Sequence, residues 1–238
     1  MSTSTPDTSI IIPAFNEESV IGSTIAGVAE HFRPFEIIVV SDGSTDRTDD
    51  IVRQSAARLI RLPQNSGKGA AVRRGVMEAA GDIIAFIDAD MPYRPENLDQ
   101  AIELVRSGAA DVAVGARDLP QSETDRSYPM RRRLAGRTLS FLIGMFLIRD
   151  VTDTQCGLKA FRRDAAKRLF ATSRVNGFGF DFEVLYLATS WGMRIARVPV
   201  ALSHRHASHV RLIRDSAVML WELIRVRWRG PRYRRDEG

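Results

Sequence analysis

The chain's 238 residues are 44% hydrophobic and 26% charged, a balance typical of a folded globular protein and not of a disordered one. The single cysteine, Cys156, excludes an intramolecular disulfide and fits a reducing compartment. Residues 1–9 carry neither a basic nor an apolar run, so no secretory signal is predicted and we expect a cytoplasmic protein. The net charge of +5 comes from residues 205–238, which contain 9 arginines and 4 acids.

This basic C-terminal segment is either a solvated chain end or, as we predict, a peripheral contact with an anionic membrane surface. Its arginines alternate with apolar residues between Val218 and Trp228, as in an interfacial helix. The apolar run Leu139–Ile148 is about half the ~20 residues that span a bilayer, and it follows arginines at 131–133 and 137. It fits either a buried core helix or an interfacial one. We expect no nucleic-acid partner, because no reading helix and no basic aromatic sheet surface is visible.

Strands and helices alternate along the first half of the chain. Short apolar or β-branched runs predict strands at 9–12, 35–40, 59–62, 82–87 and 111–115. Helical spacing predicts helices at 17–32, 67–80 and 95–107, and another around Ile51 that Ser44 or Thr45 would cap. One helix between strands implies parallel pairing through right-handed crossovers. Residues 8–120 therefore predict a Rossmann-like nucleotide-binding half.

The second half is predicted to be more helical. Helices are expected at about 128–148, 163–171, 180–191 and 209–228, with short strands near Leu158–Phe161 and Arg194–Val198. We interpret the chain as one α/β domain with a mostly parallel sheet. Residues 121–204 would form an acceptor half, followed by the basic amphipathic segment 205–238.

Acidic side chains follow three of the predicted strands. Glu17 follows the first, Asp42 the second, and Asp88 and Asp90 the fourth. The carboxyl ends of parallel strands meet at one edge, so we expect these carboxylates to converge. Because converging carboxylates repel unless a cation or donors neutralise them, a ligand site is a better interpretation than helix caps. The hard oxygens of Asp88-Ala89-Asp90 predict Mg²⁺ or Mn²⁺ bridging to substrate phosphates.

Two familiar motifs fail on spacing. Lys68 lies in a fragment similar to a P-loop, but Gly69 follows it where Ser or Thr is required. The dinucleotide fingerprint G-x-G-x-x-G is also absent after the first strand. His204, His206 and His209 have no fourth ligand nearby, so solvated or phosphate-contacting imidazoles are a better interpretation than a metal site.

Four motifs in order, IIIPAFNEE, VVSDGSTDRT, NSGKGAAVRRG and FIDADMP, resemble the family 2 glycosyltransferases of the GT-A fold. The later segments Gly115–Arg117, Arg126–Tyr128, Asp153–Lys159 (DTQCGLK) and Phe180–Tyr186 resemble the dolichyl-phosphate β-glucosyltransferases within that family.

The resemblance implies roles for individual residues. A nucleotide sugar would be held by Pro13, Ala14, Glu17, Asp42, Lys68 and Asp88, with Asp42 facing the base. The metal would be held by Asp88 and Asp90. Catalytic roles fall to Asp90, Arg117 and Arg133, and the acceptor side to Arg132, Gln155, Lys159 and Asp181. Some relatives place an oxygen ligand two residues after the second aspartate, where this chain has Pro92, so water is expected in its place.

The expected reaction is inverting transfer of a hexose, with UDP-glucose as the expected donor and a polyprenyl phosphate as the acceptor. A phosphate monoester is largely dianionic at neutral pH, so it needs no general base. A sugar hydroxyl acceptor would need one, and Asp181 or Glu183 would supply it unless both are merely acids at the start of a helix. A GDP-mannose donor and a non-catalytic nucleotide-sugar sensor are the remaining alternatives.

Overall fold

Seven strands form one mixed sheet in the computed structural model, which describes residues 7–31, 35–123, 153–201 and 212–233. The strands are β1 Thr8–Ala14, β2 Phe35–Ser41, β3 Arg58–Arg61, β4 Ile83–Ile87, β5 Val112–Ala116, β6 Leu158–Arg162 and β7 Ile195–Pro199. Their order across the sheet is β3-β2-β1-β4-β6-β5-β7.

Parallel pairing, expected from the alternation of strands and helices, is confirmed for β1 with β2, β1 with β4 and β2 with β3. β6 departs from it, because it runs antiparallel to both of its neighbours, β4 and β5. The two strands predicted for the second half, β6 and β7, therefore complete the sheet of the first half. The α/β fold class with a mostly parallel sheet is confirmed.

Seven helices lie within the described residues. They are α1 Ile21–His31, α2 Thr48–Arg53, α3 Lys68–Glu78, α4 Pro95–Arg106, α5 Arg163–Thr172, α6 Phe180–Ser190 and α7 Leu212–Tyr233. Each was predicted within a few residues. One cap was wrong: α2 begins at Thr48, and Asp46, not Ser44 or Thr45, accepts hydrogen bonds from the Thr48 N–H and hydroxyl.

Helices cover both faces of the sheet. Alternate residues of β1 and β4 point to opposite faces, so Ile11 and Phe86 join one buried cluster while Ile10 and Ala85 join the other. The first cluster includes apolar side chains of α3, α5, α6 and α7, and the second those of α1 and α4. Since both faces are closed, ligands can reach the sheet only at its edges and strand ends.

Several predicted features fall outside the described residues. They are the helix at 128–148 with the run Leu139–Ile148, the arginines at 131–133 and 137, and His204, His206 and His209. In the ranges that are described, no helix is long and apolar enough to cross a membrane.

Candidate active site at the carboxyl edge of the sheet

The acidic triplet forms a tight turn directly after β4. The Met91 N–H donates a hydrogen bond to the Asp88 carbonyl at 2.9 Å and closes the turn. Met91 has φ 36°, in the left-handed region that side chains other than Gly, Asn and Asp rarely adopt. From α1, the buried Thr24 hydroxyl donates to the Ala89 carbonyl at 2.6 Å. The turn that carries Asp88 and Asp90 is thus held by its own backbone hydrogen bond and by a side chain of α1.

Asp88 accepts a hydrogen bond from the ammonium of Lys68, the first residue of α3, at 2.5 Å. Burial alone would raise the pKa of Asp88, but Lys68 outweighs it, assisted by Lys159 and Arg117, and the pKa is lowered. The pKa of Lys68 is raised despite burial, through Asp88, then Asp181 and Asp90. These pKa shifts show that Lys68 and Asp88, predicted for the donor side, interact electrostatically with Arg117, Lys159 and Asp181.

Gly157 lies against the Asp88 carboxylate. A Cβ at this position would come within 1.8 Å of Asp88 Oδ2 and 2.2 Å of its Cγ. The contact arises because Ile87 of β4 and Leu158 of β6 are paired, so the residues just outside them face each other. Only glycine leaves room for the carboxylate here.

Asp42, at the end of β2, organises the loop before α3. Its two carboxylate oxygens accept hydrogen bonds from the Ser66 N–H at 2.7 Å and the Gly67 N–H at 2.8 Å. Gly67 has φ 101°, a conformation that favours glycine. Lys68 follows directly, so Asp42 also sets the position of the lysine that meets Asp88.

The loop after β1 is tied to the loop after β2. The Asn16 carboxamide oxygen accepts from the Thr45 N–H at 2.8 Å, and the Glu17 N–H donates to the Thr48 hydroxyl at 2.8 Å. Pro13 and Ala14 are buried at the end of β1. Pro13 lies beyond Ile11, the last residue of β1 that pairs with β4, so its missing N–H interrupts no ladder there.

Arg117 follows β5 and is oriented by Asp153. Its backbone N–H donates to Asp153 at 2.8 Å, and its Nε and Nη2 donate to the same carboxylate at 2.8 and 2.7 Å. The Asp153 side chain is 8% exposed, whereas that of Arg117 is 43% exposed. One edge of the guanidinium is therefore fixed while the rest is open to an anionic ligand.

Lys159 and Asp181 form a buried ion pair below the acidic turn. The ammonium donates to Asp181 at 2.6 Å and to the Cys156 carbonyl at 2.7 Å, and the two side chains are 1% and 3% exposed. Burial raises the pKa of Asp181, although Lys159 and then Lys68 oppose that rise. Lys159 also lies 5.2 Å from the centre of the Phe86 ring. Both residues were predicted for the acceptor side, and in the structure each is the ion-pair partner of the other.

Glu183 is fully buried in the first turn of α6. Its carboxylate accepts hydrogen bonds from the N–H groups of Arg174 at 2.8 Å and Val175 at 2.7 Å. These bonds fix the segment between α5 and α6, whose Asn176 carbonyl accepts from the Gly69 N–H at the start of α3. Glu183 therefore stabilises the segment that contacts the start of α3, next to Lys68.

Two polar atoms in the segment between Asp153 and Gly157 are buried without a hydrogen-bond partner in the described structure. They are the hydroxyl of Thr154 and the amide nitrogen of Gln155. Unpaired buried donors are costly, so such groups commonly mark the place of a ligand or water. Gln155 was predicted for the acceptor side. Arg132 and Arg133, predicted for phosphate contacts, lie outside the described residues.

Sequence reasoning assigned no role to four residues that position the site: Thr24, Asp153, Gly157 and Asn176. Asp153 and Gly157 stand in the DTQCGLK segment, so their motif was noticed but their tasks were not. A signal existed for Lys159, because the two-residue period of β6 places it on the same face as the buried Phe161. No local pattern indicates the bond between Thr24 and the Ala89 carbonyl, which are 65 residues apart.

The sheet order and the acidic turn at its carboxyl edge define an α/β domain of the GT-A type. The model of glycosyl transferase family 2 matches residues 9–170. The chain therefore belongs to glycosyl transferase family 2.

Individual proteins similar to this chain are also named as glycosyltransferases. Glycosyltransferase AglD of Haloferax volcanii is 34% identical over 93% of this chain, which spans only 37% of the length of AglD. A dolichyl-phosphate β-glucosyltransferase of Trichomonas vaginalis is 30% identical over 92% of this chain and 72% of its own length. That of Dictyostelium discoideum is 29% identical over 93% and 74%, respectively.

Solved structures share the fold. Glucosyl-3-phosphoglycerate synthase from Mycobacterium tuberculosis, in complex with Mn²⁺, UDP-glucose and phosphoglyceric acid, has a TM-score of 0.73 at 23% identity. The match covers 93% of this chain and 80% of the synthase.

Proposed function

We propose that this chain is an inverting hexosyltransferase that moves glucose from UDP-glucose to the phosphate of a polyprenyl phosphate. The family and the relatives named dolichyl-phosphate β-glucosyltransferase support this reaction class. The choice of acceptor rests on Asp181 and Glu183, the two carboxylates that could serve as the base for a hydroxyl acceptor, and on the partners to which they are bound.

Neither of those carboxylates is free to act as a base. Asp181 is bonded to Lys159 in a buried pair, and Glu183 accepts two backbone N–H groups in the interior. A hydroxyl group must lose its proton as it attacks, and needs a base within hydrogen-bond reach. A phosphate monoester is already ionised at neutral pH and needs none. The arrangement therefore favours a phosphate acceptor over a sugar hydroxyl.

The donor side lies between the ends of β1, β2 and β4. We propose that Pro13, Ala14, Glu17 and Asp42 hold the nucleoside, with Asp42 facing the base, and that Lys68 contacts the diphosphate. The linked loops around Asp42 support this role, because they fix the carboxylate and the start of α3 before a ligand arrives. Lys68 is already held at the acidic turn, so little ordering is needed on binding.

Asp88 and Asp90 fit a divalent cation such as Mg²⁺ or Mn²⁺, because their carboxylates offer the hard oxygen ligands these ions prefer. Within the described residues, no group of three or more His, Cys, Asp and Glu side chains could hold a metal. With Pro92 contributing no side-chain oxygen, the remaining positions would fall to water and the diphosphate. Such an ion would offset the charge that develops on the departing diphosphate.

The acceptor side lies around the residues that precede β6. Arg117, held along one edge by Asp153, supplies a fixed cation for a phosphate group. The unpaired Thr154 hydroxyl and Gln155 amide are the further donors that phosphate oxygens require. We propose Arg132 and Arg133 as further contacts to the acceptor phosphate, on the basis of the family resemblance alone. Lys159 and Asp181, also predicted for the acceptor side, would act as a buried pair that stabilises the floor of the site.

The bond changes follow from this arrangement. An oxygen of the polyprenyl phosphate attacks the anomeric carbon while the bond from that carbon to the β-phosphate oxygen of UDP breaks. The bonding pair leaves with UDP, and the configuration inverts, so an α-linked donor gives a β-linked product. Arg117 and Lys68 stabilise the charge that shifts to the leaving group, the electrostatic contribution that is usually largest. Asp90 completes the acidic turn.

The test is transfer of radiolabelled glucose by the purified chain in the presence of Mg²⁺ or Mn²⁺. UDP-glucose is compared with GDP-mannose, and a short-chain polyprenyl phosphate with the corresponding polyprenol. We expect an acid-labile β-glucosyl lipid only with UDP-glucose and the phosphate, and no transfer by Asp88→Asn. Equal transfer to the alcohol would refute the phosphate acceptor, and mannosyl transfer would refute the donor.

We further propose that the chain meets its lipid acceptor peripherally, at the cytoplasmic face of a membrane.

A further inference from the structure

Helix α7 presents two contrasting faces. Met219, Leu223 and Val226 are 7%, 2% and 0% exposed and pack into the core. Trp221 and Trp228, in contrast, are 59% and 80% exposed. At about 100° per residue, two positions seven apart lie on almost the same line along a helix, here on the side away from the core.

The exposed face is apolar along its middle and basic at its sides. Ile224, 39% exposed, lies between the two tryptophans and completes a continuous apolar stripe. Arg225 and Arg227 are exposed on either side of it. Among the described side chains of α7 the one carboxylate, Glu222, is directed away from this face and accepts a hydrogen bond from the Gly179 N–H at 3.0 Å.

We propose that the stripe Trp221–Ile224–Trp228, flanked by Arg225 and Arg227, is the surface by which this chain docks on an anionic phospholipid membrane. Indole rings are amphipathic and favour the boundary between headgroups and acyl chains, and exposed arginines are attracted to anionic headgroups. This surface is assigned separately from the acceptor site. It rests on the proposed function only in that a polyprenyl phosphate resides in a membrane.

Charge decides between a membrane and a second copy of the chain. A two-fold contact through this stripe would place the same patch on both sides of the interface. The arginines of one copy would then face those of the other, with no described carboxylate on the stripe to neutralise them. An anionic lipid surface supplies the missing negative charge over the whole length of the stripe.

The inner face of α7 connects this surface to the site. Glu222 holds Gly179, in the segment that follows Asn176, and the Asn176 carbonyl accepts the Gly69 N–H next to Lys68. A helix docked by its outer face would therefore be linked through these bonds to the start of α3, where Lys68 lies.

Binding to vesicles of phosphatidylcholine, with and without phosphatidylglycerol, tests the proposal. We expect the full chain to bind only the anionic vesicles, and less at high salt. Trp221→Ser and Trp228→Ser should each weaken binding by at least about tenfold, from the apolar area they withhold from lipid. Arg225→Gln should weaken it by about fivefold. Met77→Ser, which removes an exposed apolar side chain from α3, is the matched control and should bind like the parent.

Vesicle binding by Trp221→Ser/Trp228→Ser at parental affinity would overturn the proposal. So would a parental dimer that these substitutions convert to a monomer without loss of vesicle binding, because the stripe would then be a self-interface. Transfer to a water-soluble, short-chain polyprenyl phosphate separates the two hypotheses. The double variant should retain it if the proposed function is correct, whereas a parent that binds vesicles but transfers no glucose would refute the function alone.

Discussion

Gly157→Ala tests whether the segment before β6 shapes the metal and diphosphate site that we propose around Asp88. The added Cβ would lie 1.8 Å from Asp88 Oδ2, whereas real Cβ contacts essentially never fall below 3.0 Å. The carboxylate must therefore move by more than 1 Å, by ~1.2–1.6 Å, and its 2.5 Å bond to Lys68 cannot survive such a shift unchanged. A misplacement of about 1 Å at a reacting centre costs on the order of 100-fold in rate.

The expected result is a folded protein that has lost about 100-fold in kcat/KM for glucose transfer. Overpacking should also lower the free energy of unfolding by about 1–3 kcal/mol. Glucose transfer from UDP-glucose and urea denaturation measure the two effects. Gly27→Ala is the matched control: it lies in α1, nothing lies within 4 Å of its added Cβ, and alanine favours a helix.

Activity of Gly157→Ala within about twofold of the parent, a difference below ~0.4 kcal/mol, would refute the reasoning. It would mean either that Asp88 moves away without consequence or that this carboxylate does not serve the reaction. Comparable losses in Gly157→Ala and Gly27→Ala would instead show that the loss is not specific to the contact with Asp88.

Three further predictions concern neighbouring groups. Lys159→Met and Asp181→Asn should each lower the free energy of unfolding in urea by ~3–5 kcal/mol, because either leaves a buried partner without its counter-charge. The double variant Lys159→Met/Asp181→Asn should lose less than the sum of the two. Asp153→Asn should lower kcat/KM about tenfold by releasing the edge of Arg117, and Asp153→Glu should recover part of it. Cys156, buried and with a pKa raised to about 11 by burial, should react with a thiol reagent at pH ~8 only on unfolding, so rapid labelling of native protein would contradict its placement.

The secondary structure was predictable because each element carries its own periodicity. The β-branched runs of β1, β2 and β4 and the helical spacing of α1 and α4 are local signals, and both faces of the sheet proved to be covered. The convergence of loops at the carboxyl edge followed from the parallel rule alone. Neighbouring loops do meet there, because Asn16 contacts Thr45 and Lys68 contacts Asp88. The convergence of all four carboxylates, those of Glu17, Asp42, Asp88 and Asp90, stays a prediction.

What sequence could not supply is the partner of each polar side chain. Arg117 and Asp153 lie 36 residues apart, and Lys159 and Asp181 lie 22 apart, so no periodicity relates them. The family resemblance made Lys159 a candidate for direct contact with the acceptor, and lysine side chains are usually exposed. The period of β6 places Lys159 on the same face as Phe161, but its pairing with Asp181 became visible only when β6 was placed inside the sheet. Placing it there requires the pairing of β6 with β4 and β5, which the sequence of one strand does not contain.

The antiparallel direction of β6 brings the proposed donor and acceptor residues to one edge of the sheet. Parallel strands end at this edge, and their following loops carry Asp42 and the acidic turn, which we propose for the donor. A parallel β6 would place residues 153–157 at the opposite end of the sheet, away from that turn. Because β6 runs the other way, the segment before it starts at the same edge as the acidic turn and carries Asp153, which binds Arg117. The reversal also brings Gly157 against Asp88, so the two sides of the site are packed together and cannot vary independently.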